Sequence, residues 1–272
     1  MTQWLSVDRG EAPLLISIPH TGTEIPEEYA GHLVSDWAAR KDADWWIDRL
    51  YNFASQLGAT VVHTAISRTV IDVNRDPSGA SLYPDQATTE LCPTTTFDGE
   101  PLYTNGFAIK ASEILARRAR FFDPYHSALE NEIERLRSKH AKIVLYDCHS
   151  IRSVIPRLFD GVLPVFNIGT NSGGSCDAVL TETVTAICKA TGFDYAVNGR
   201  FKGGWITRQY GDPLKGVHAI QMELACRGYM LDTNPVTEAD WPTPYVGQHY
   251  GQMRRVLTDI LEACRNFARP SA

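Results

Sequence analysis

Apolar positions along this chain follow two periods. "PLLISIPH" (13–20), "KIVLYDCH" (142–149), "LPVFNIGT" (163–170) and "GVHAIQMELA" (216–225) are apolar at most positions. Runs of this length predict strands buried on both faces. "ATVVHTAIS" (59–67) and "TVIDVN" (69–74) predict two further strands. Helical spacing appears elsewhere. Ile47, Leu50, Tyr51, Ala54 and Leu57 predict a helix from an N-cap at Ser35 to about Leu57, with Gly58 as the stop. A helical region ending in "PYHSALENEIERLRSKH" places Tyr125, Leu129, Ile133 and Leu136 on one face. Leu180, Val184, Ile187 and Cys188 form a stripe in "CDAVLTETVTAICKATG", and Met253, Val256, Leu257, Ile260 and Leu261 form another near the C-terminus. Residues 77–105 are rich in Pro, Thr, Gly and Asp without any period, and predict a long functional loop. Strands alternating with helices predict an α/β protein: three α/β/α layers around a mixed, largely parallel sheet. No repeat or linker interrupts the pattern, so residues 1–272 are expected to form a single catalytic domain.

Composition narrows the function classes. The chain has 272 residues, 43% of them hydrophobic, and a formal net charge of −6. That balance argues against a non-specific nucleic-acid binder, which needs a basic face. No apolar run approaches the roughly 20 residues needed to span a membrane. "MTQWLSVDRGEAP" lacks the basic and apolar segments of a secretory signal. Cys92, Cys148, Cys176, Cys188, Cys226 and Cys264 are scattered, with no CxxC pair. Free thiols in a cytoplasmic protein are the expectation.

In parallel sheets ligands bind beyond the strand ends, and four strand ends and one loop here carry reactive groups. They offer His20 and Glu24, then Asn74 and Arg75, then Asp147 and His149, and later Glu223. The loop "NGRFKGGWITRQYGDP" adds Arg200, Lys202, Arg208 and Tyr210. A histidine after a strand is more often a hydrogen-bonded structural residue than a ligand. Two of them at buried strand ends raise each other's odds, because histidine and carboxylate ligate catalytic zinc. A third, carboxylate ligand is then needed, and Glu24 and Asp44 both qualify. Asp42 and Asp48 read as a solvated helix face. Cys148 beside His149 suggests a nucleophilic pair, but successive strand residues point to opposite faces. Cys148 therefore reads as core, and Asp147 shares a face with His149. Arg68, Asn74 and Arg75 offer the planar fork and amide that suit a carboxylate. The bland alternative is a surface salt bridge with Asp72 or Asp76. Glu223 is a carboxylate in an apolar strand. It reads either as a general base beside a metal-bound water or as a buried ion pair with an arginine such as Arg208.

The order of a first His, then Asn-Arg, a strand-end His and a late Glu resembles the zinc carboxypeptidase and aspartoacylase superfamily. Nearly the whole chain resembles the N-formylglutamate amidohydrolase family more closely. "DADWWIDRLY", "SRTVIDVNRD", "TTTFDGEPLY", "YHSALENEI", "DCHSIRSVIPRLFDG" and "FNIGT" carry that likeness, together with the first strand, the Arg208 loop and the Glu223 strand. The resemblance implies a hydrolase-like, zinc-exopeptidase-like fold. It implies hydrolysis of N-formyl-L-glutamate to formate and L-glutamate, the last step of one route of histidine breakdown. It further implies one Zn²⁺ per chain on His20 and His149, with Glu223 as base and Arg68, Asn74 and Arg75 as carboxylate binders. The superfamily has two residues between its first His and its Glu, whereas three separate His20 from Glu24. The family's "DADW" block therefore favours Asp44 as third ligand, with Glu24 the alternative. Arg152, Lys202 and Arg208 are further expected cations for a small anionic amino-acid substrate. The rival readings are a zinc hydrolase of another N-acyl amino acid, a carboxypeptidase, and a non-catalytic metal or amino-acid binding protein.

Overall fold

The computed structural model describes residues 4–82, 86–245 and 248–269, with the side chains of residues 248 and 249 left aside. Its strands are β1 (Leu5–Asp8), β2 (Leu14–Ile18), β3 (Thr60–Thr64), β4 (Ile143–Ile151), β5 (Phe166–Gly169), β6 (Tyr195–Val197) and β7 (Val217–Ala225). The helices are α1 (Glu27–Ala30), α2 (Asp36–Arg40), α3 (Ile47–Leu50), α4 (Ala111–Arg117), α5 (Asp123–Arg137), α6 (Ala178–Ala190), α7 (Trp205–Tyr210) and α8 (Gln248–Ala268). The strands form one mixed sheet in the order β1-β3-β2-β4-β7-β5-β6. The centre, β3-β2-β4-β7, is parallel, while β1 and β5 join antiparallel.

Every residue of β2, β4 and β7 is buried, as expected of strands covered on both faces. Alternation sorts their side chains. Val144, Tyr146 and Cys148 join Leu257, Ile260 and Cys264 of α8 in one core, with Leu180, Val184 and Cys188 of α6. Ile143 and Leu145 face the other way, onto Tyr125, Leu129 and Leu136 of α5. Cys148 is thus a core residue, and all six cysteines are buried free thiols. Among the described residues no helix is long and apolar enough to cross a membrane.

Two expected elements differ. The helix expected from Ser35 to Leu57 is three short pieces. Ser35 does cap α2, accepting from the Ala38 N–H, and Gly58 does end the last turn in a left-handed conformation. Between them Trp46 adopts a left-handed conformation (φ 66°) and the chain doubles back before α3. "TVIDVN" is a series of turns rather than a strand. β3 already has β1 on one side and β2 on the other, so that segment finds no sheet edge there. Its backbone bonds locally instead, Val70 N–H to Ser67 and Arg75 N–H to Asp72, while Asp72 N–H donates to Leu91. β1, β6 and α7 are additional short elements. The long loop is irregular as expected, tied by isolated bridges such as Thr95 to Pro101. Its residues 83–85 lie outside the described part.

Candidate active site

β2 and β4 are parallel neighbours, so His20, just after β2, and His149, near the C-terminal end of β4, lie side by side. The His20 and His149 rings lie 4.8 Å apart between centroids. Asp44 arrives from the broken helix, where its N–H donates to the His20 carbonyl at 2.9 Å. Asp44 Oδ2 sits 3.1 Å from His149 Nδ1 and 3.7 Å from His20 Nδ1. One donor atom from each of the three buried residues lies within 4.8 Å of the others. Glu24 does not join them. It is exposed and forms a bridge with Ile66 at the surface, turned away by the local backbone.

Each imidazole is held from behind by a carboxylate. His20 Nε2 contacts Asp72 Oδ1 at 2.8 Å, and His149 Nε2 contacts Asp147 Oδ2 at 2.9 Å. Where Asp72 and Asp147 accept a proton from each Nε2, both Nδ1 atoms are turned to Asp44. His20 Nδ1 is buried without a hydrogen-bond partner. Two imidazole nitrogens and a carboxylate oxygen, with carboxylates orienting the rings, are the donor set and supporting shell of a catalytic zinc. The residues present therefore fit a divalent metal.

Electrostatics bind the cluster. Burial alone pushes the Asp44 carboxyl up, but His149 and His20 outweigh it and hold the group below the usual carboxylate range. Asp72 is held well below that range, because Arg75, His20 and Arg68 overcome its desolvation. Burial lowers His149, yet Asp147 and Asp44 raise it well above an ordinary imidazole.

A cavity opens beside the triad. Its walls include Arg68, Asn74, Arg75, Arg200 and Glu223, with Phe97, Ile151, Leu158 and Phe201 on the apolar side. Ala87, Thr88, Thr89 and Phe97 bring the long loop to its edge. Glu223 pairs in register with His149 across β4 and β7. Burial, opposed by His149 and reinforced by Asp44, pushes the Glu223 carboxyl up to about 8. Gln221 Nε2 donates to it at 3.2 Å, whereas Arg208 turns its Nε onto the Gly203 carbonyl.

The expected carboxylate binders divide. Arg75 lines the cavity, its Nε on the Thr89 carbonyl and one NH₂ on the Thr89 hydroxyl, both at 3.1 Å. Arg68 lines it too, but is bonded to Asp72 at 2.6 Å and lies 3.4 Å from Asp44. Asn74 donates Nδ2 to Asp147 at 3.0 Å and accepts the Ile206 N–H on Oδ1 at 2.8 Å. Both ends of its amide are used inside the protein, so Asn74 braces the Asp147–His149 pair.

Arg152, Lys202 and Arg208 do not line this cavity. Arg152 binds Asp98 at 2.8 Å and Asp42 at 3.2 Å. Asp42 also accepts the Phe97 N–H at 2.6 Å, so it pins the long loop rather than facing solvent. Asp48 is exposed, as expected. Sequence reasoning passed over Asp72 and Gln221 as site residues, and named Arg200 among the reactive groups of its loop without choosing it as a substrate cation. Gln221 was within reach, since it precedes Glu223 by two in a strand and so shares its face.

A sequence model described as N-formylglutamate amidohydrolase matches residues 12–230. The chain belongs to the N-formylglutamate amidohydrolase family. It is 48% identical over 238 residues to an N-formylglutamate deformylase of Pseudomonas putida, covering 87% of this chain and 89% of that one. It is 43% identical over 270 residues to the N-formylglutamate deformylase of Pseudomonas aeruginosa, covering 99% and 98%. Its fold is similar to that of an N-formylglutamate amidohydrolase from Ralstonia eutropha, with a TM-score of 0.80 at 22% identity and coverage of 97% and 98%. As a member of this family the chain is an amidohydrolase, and the α/β architecture expected from its sequence is the architecture of the family.

Proposed function

We propose that this chain hydrolyses N-formyl-L-glutamate to formate and L-glutamate, with a divalent ion, zinc by the donor set, held by His20, Asp44 and His149. The observation that carries this reading is a buried carboxylate, Glu223, in register with a ligand-type histidine and facing a cavity walled by arginines. The names of the close relatives support the substrate. When bound, the ion polarises the formyl oxygen and lowers the pKa of water.

Glu223 accepts a proton from water as the water oxygen attacks the formyl carbon. It then returns that proton to the amide nitrogen as the C–N bond breaks, leaving formate and the free amine. Burial suits both steps, because a carboxyl raised towards neutrality is a stronger base and a usable acid. Arg75 and Arg68 supply positive field for the two carboxylates, Arg75 through the part of its fork not turned to Thr89. Arg200 adds a third cation on the wall. Phe97, Ile151, Leu158 and Phe201 form the apolar side, and their bulk favours a formyl group over larger acyl groups.

In this reading the product is the L-glutamate that ends a route of histidine breakdown, in the cytoplasm. A formate-release assay on N-formyl-, N-acetyl- and N-succinyl-glutamate, with and without a chelator, tests it. Turnover of the formyl compound alone, lost on chelation and restored by Zn²⁺, is expected. Preference for a longer acyl group overturns the substrate, and full activity in metal-free protein overturns the metal.

A further inference from the structure

We propose that Gln221 is a positioning residue that orients the Glu223 carboxylate for its work as the base; this rests on the function proposed above. Gln221 is buried in β7, at 4% exposure, and shares a face with Glu223 two residues on. Its Oε1 accepts the Gly204 N–H at 2.7 Å. Its Nε2 donates to Glu223 Oε2 at 3.2 Å. The backbone N–H can meet only an oxygen. The Gly204 N–H therefore fixes Oε1 on its side, and the Nε2 end of the amide meets Glu223 as a donor.

That orientation has two consequences. Glu223 Oε2 is tied down by a neutral donor, which fixes the plane of the carboxylate. A cation in the same place would stabilise the negative charge far more and weaken the group as a proton acceptor. A neutral amide fixes direction at a smaller loss of basicity. The donor to Gln221 also comes from the segment that packs on the metal-type cluster. A Cβ at Gly204 would lie 2.5 Å from Asn74 Nδ2, and Asn74 in turn bonds Asp147 beside His149. Only glycine lets this backbone approach Asn74 and Gln221 together. Gln221 thus aligns the base relative to the histidine it faces, through a chain of contacts with no slack rotamer.

The test is a double-mutant cycle on the metal-loaded enzyme with N-formylglutamate: wild type, Gln221→Met, Glu223→Gln and the double variant. Methionine keeps length and volume but cannot donate. Losing one neutral hydrogen bond that aligns the base should lower kcat about tenfold, with KM and metal content unchanged. In the Glu223→Gln background, Gln221→Met should change kcat less than about twofold, since the group it orients is gone. An equal loss in both backgrounds overturns the proposal, as does unchanged kcat in Gln221→Met while Glu223→Gln is crippled. If Glu223→Gln itself turns over normally, or the wild type leaves N-formylglutamate intact, the reading beneath is overturned, and the two failures are distinct. If Gln221→Met fails to fold, Gln221→Asn reads the same coupling, because its shorter amide cannot meet the Gly204 N–H and Glu223 together.

Discussion

His126 offers a quantitative test of how the site is braced. Its imidazole is buried on α5, stacked on Phe122 with ring centroids 4.1 Å apart. Nε2–H donates to the Val73 carbonyl, and Nδ1 accepts from the Tyr210 hydroxyl, both at 2.8 Å. Burial pushes this imidazole down from 6.5 to about 4, only partly countered by the Val73 carbonyl and Asp147. The unfolded chain therefore binds a proton between those values that the folded chain refuses. Stability is fully present above the unfolded pKa and is lost as pH falls towards 4. Linkage over that window gives a loss of about 2 kcal/mol between pH 7 and pH 5. That corresponds to a Tm shift of roughly 4–8 °C for a domain this size. The assay is urea unfolding of metal-free wild type and His126→Gln at both pH values. Other groups titrate in both proteins and cancel in the difference, so the variant should lose about 2 kcal/mol less than wild type on acidification. Equal losses would refute the reasoning. The position matters for function, because Val73 precedes Asn74, and Tyr210 ends the helix whose Ile206 N–H holds the Asn74 amide.

The remaining predictions concern the site itself. Asp44→Ala should lower bound zinc far more than Glu24→Ala, measured by metal analysis after dialysis; the reverse order would return the third ligand to Glu24. Glu223→Gln should keep the metal while lowering kcat by about 10²–10⁴-fold, and near-normal turnover would assign the residue to structure. Arg75→Ala should lower kcat/KM about tenfold to a hundredfold, the worth of one charge-assisted hydrogen bond. Arg75→Lys should recover only part of that, because an ammonium lacks the fork. An equal loss on a substrate whose carboxylates are amidated would show that Arg75 shapes the loop through Thr89 instead.

The strands that carry the site were legible in sequence, because burial on both faces writes a continuous apolar run and alternation assigns each side chain to a face. Period two alone separated Cys148 from His149 and put Asp147 beside it. The residue types at the strand ends suggested a metal-type cluster, and the fold brings His20, Asp44 and His149 together. Tertiary structure decided what depends on partners distant in sequence. Asp44 reaches the histidines because α2 stops at Arg40 and the Asp44 N–H finds the His20 carbonyl, a non-local bond with no local pattern. Glu24, closer to His20 in sequence, points to solvent. "TVIDVN" has strand composition, but β1 occupies the edge of β3, so the segment turns and delivers Asp72 to His20 instead. Asn74 and Arg152 have the chemistry to hold a substrate, yet the groups around them take up their hydrogen bonds. A side chain's type limits what it can bind, and only its neighbours in space settle which partner it meets.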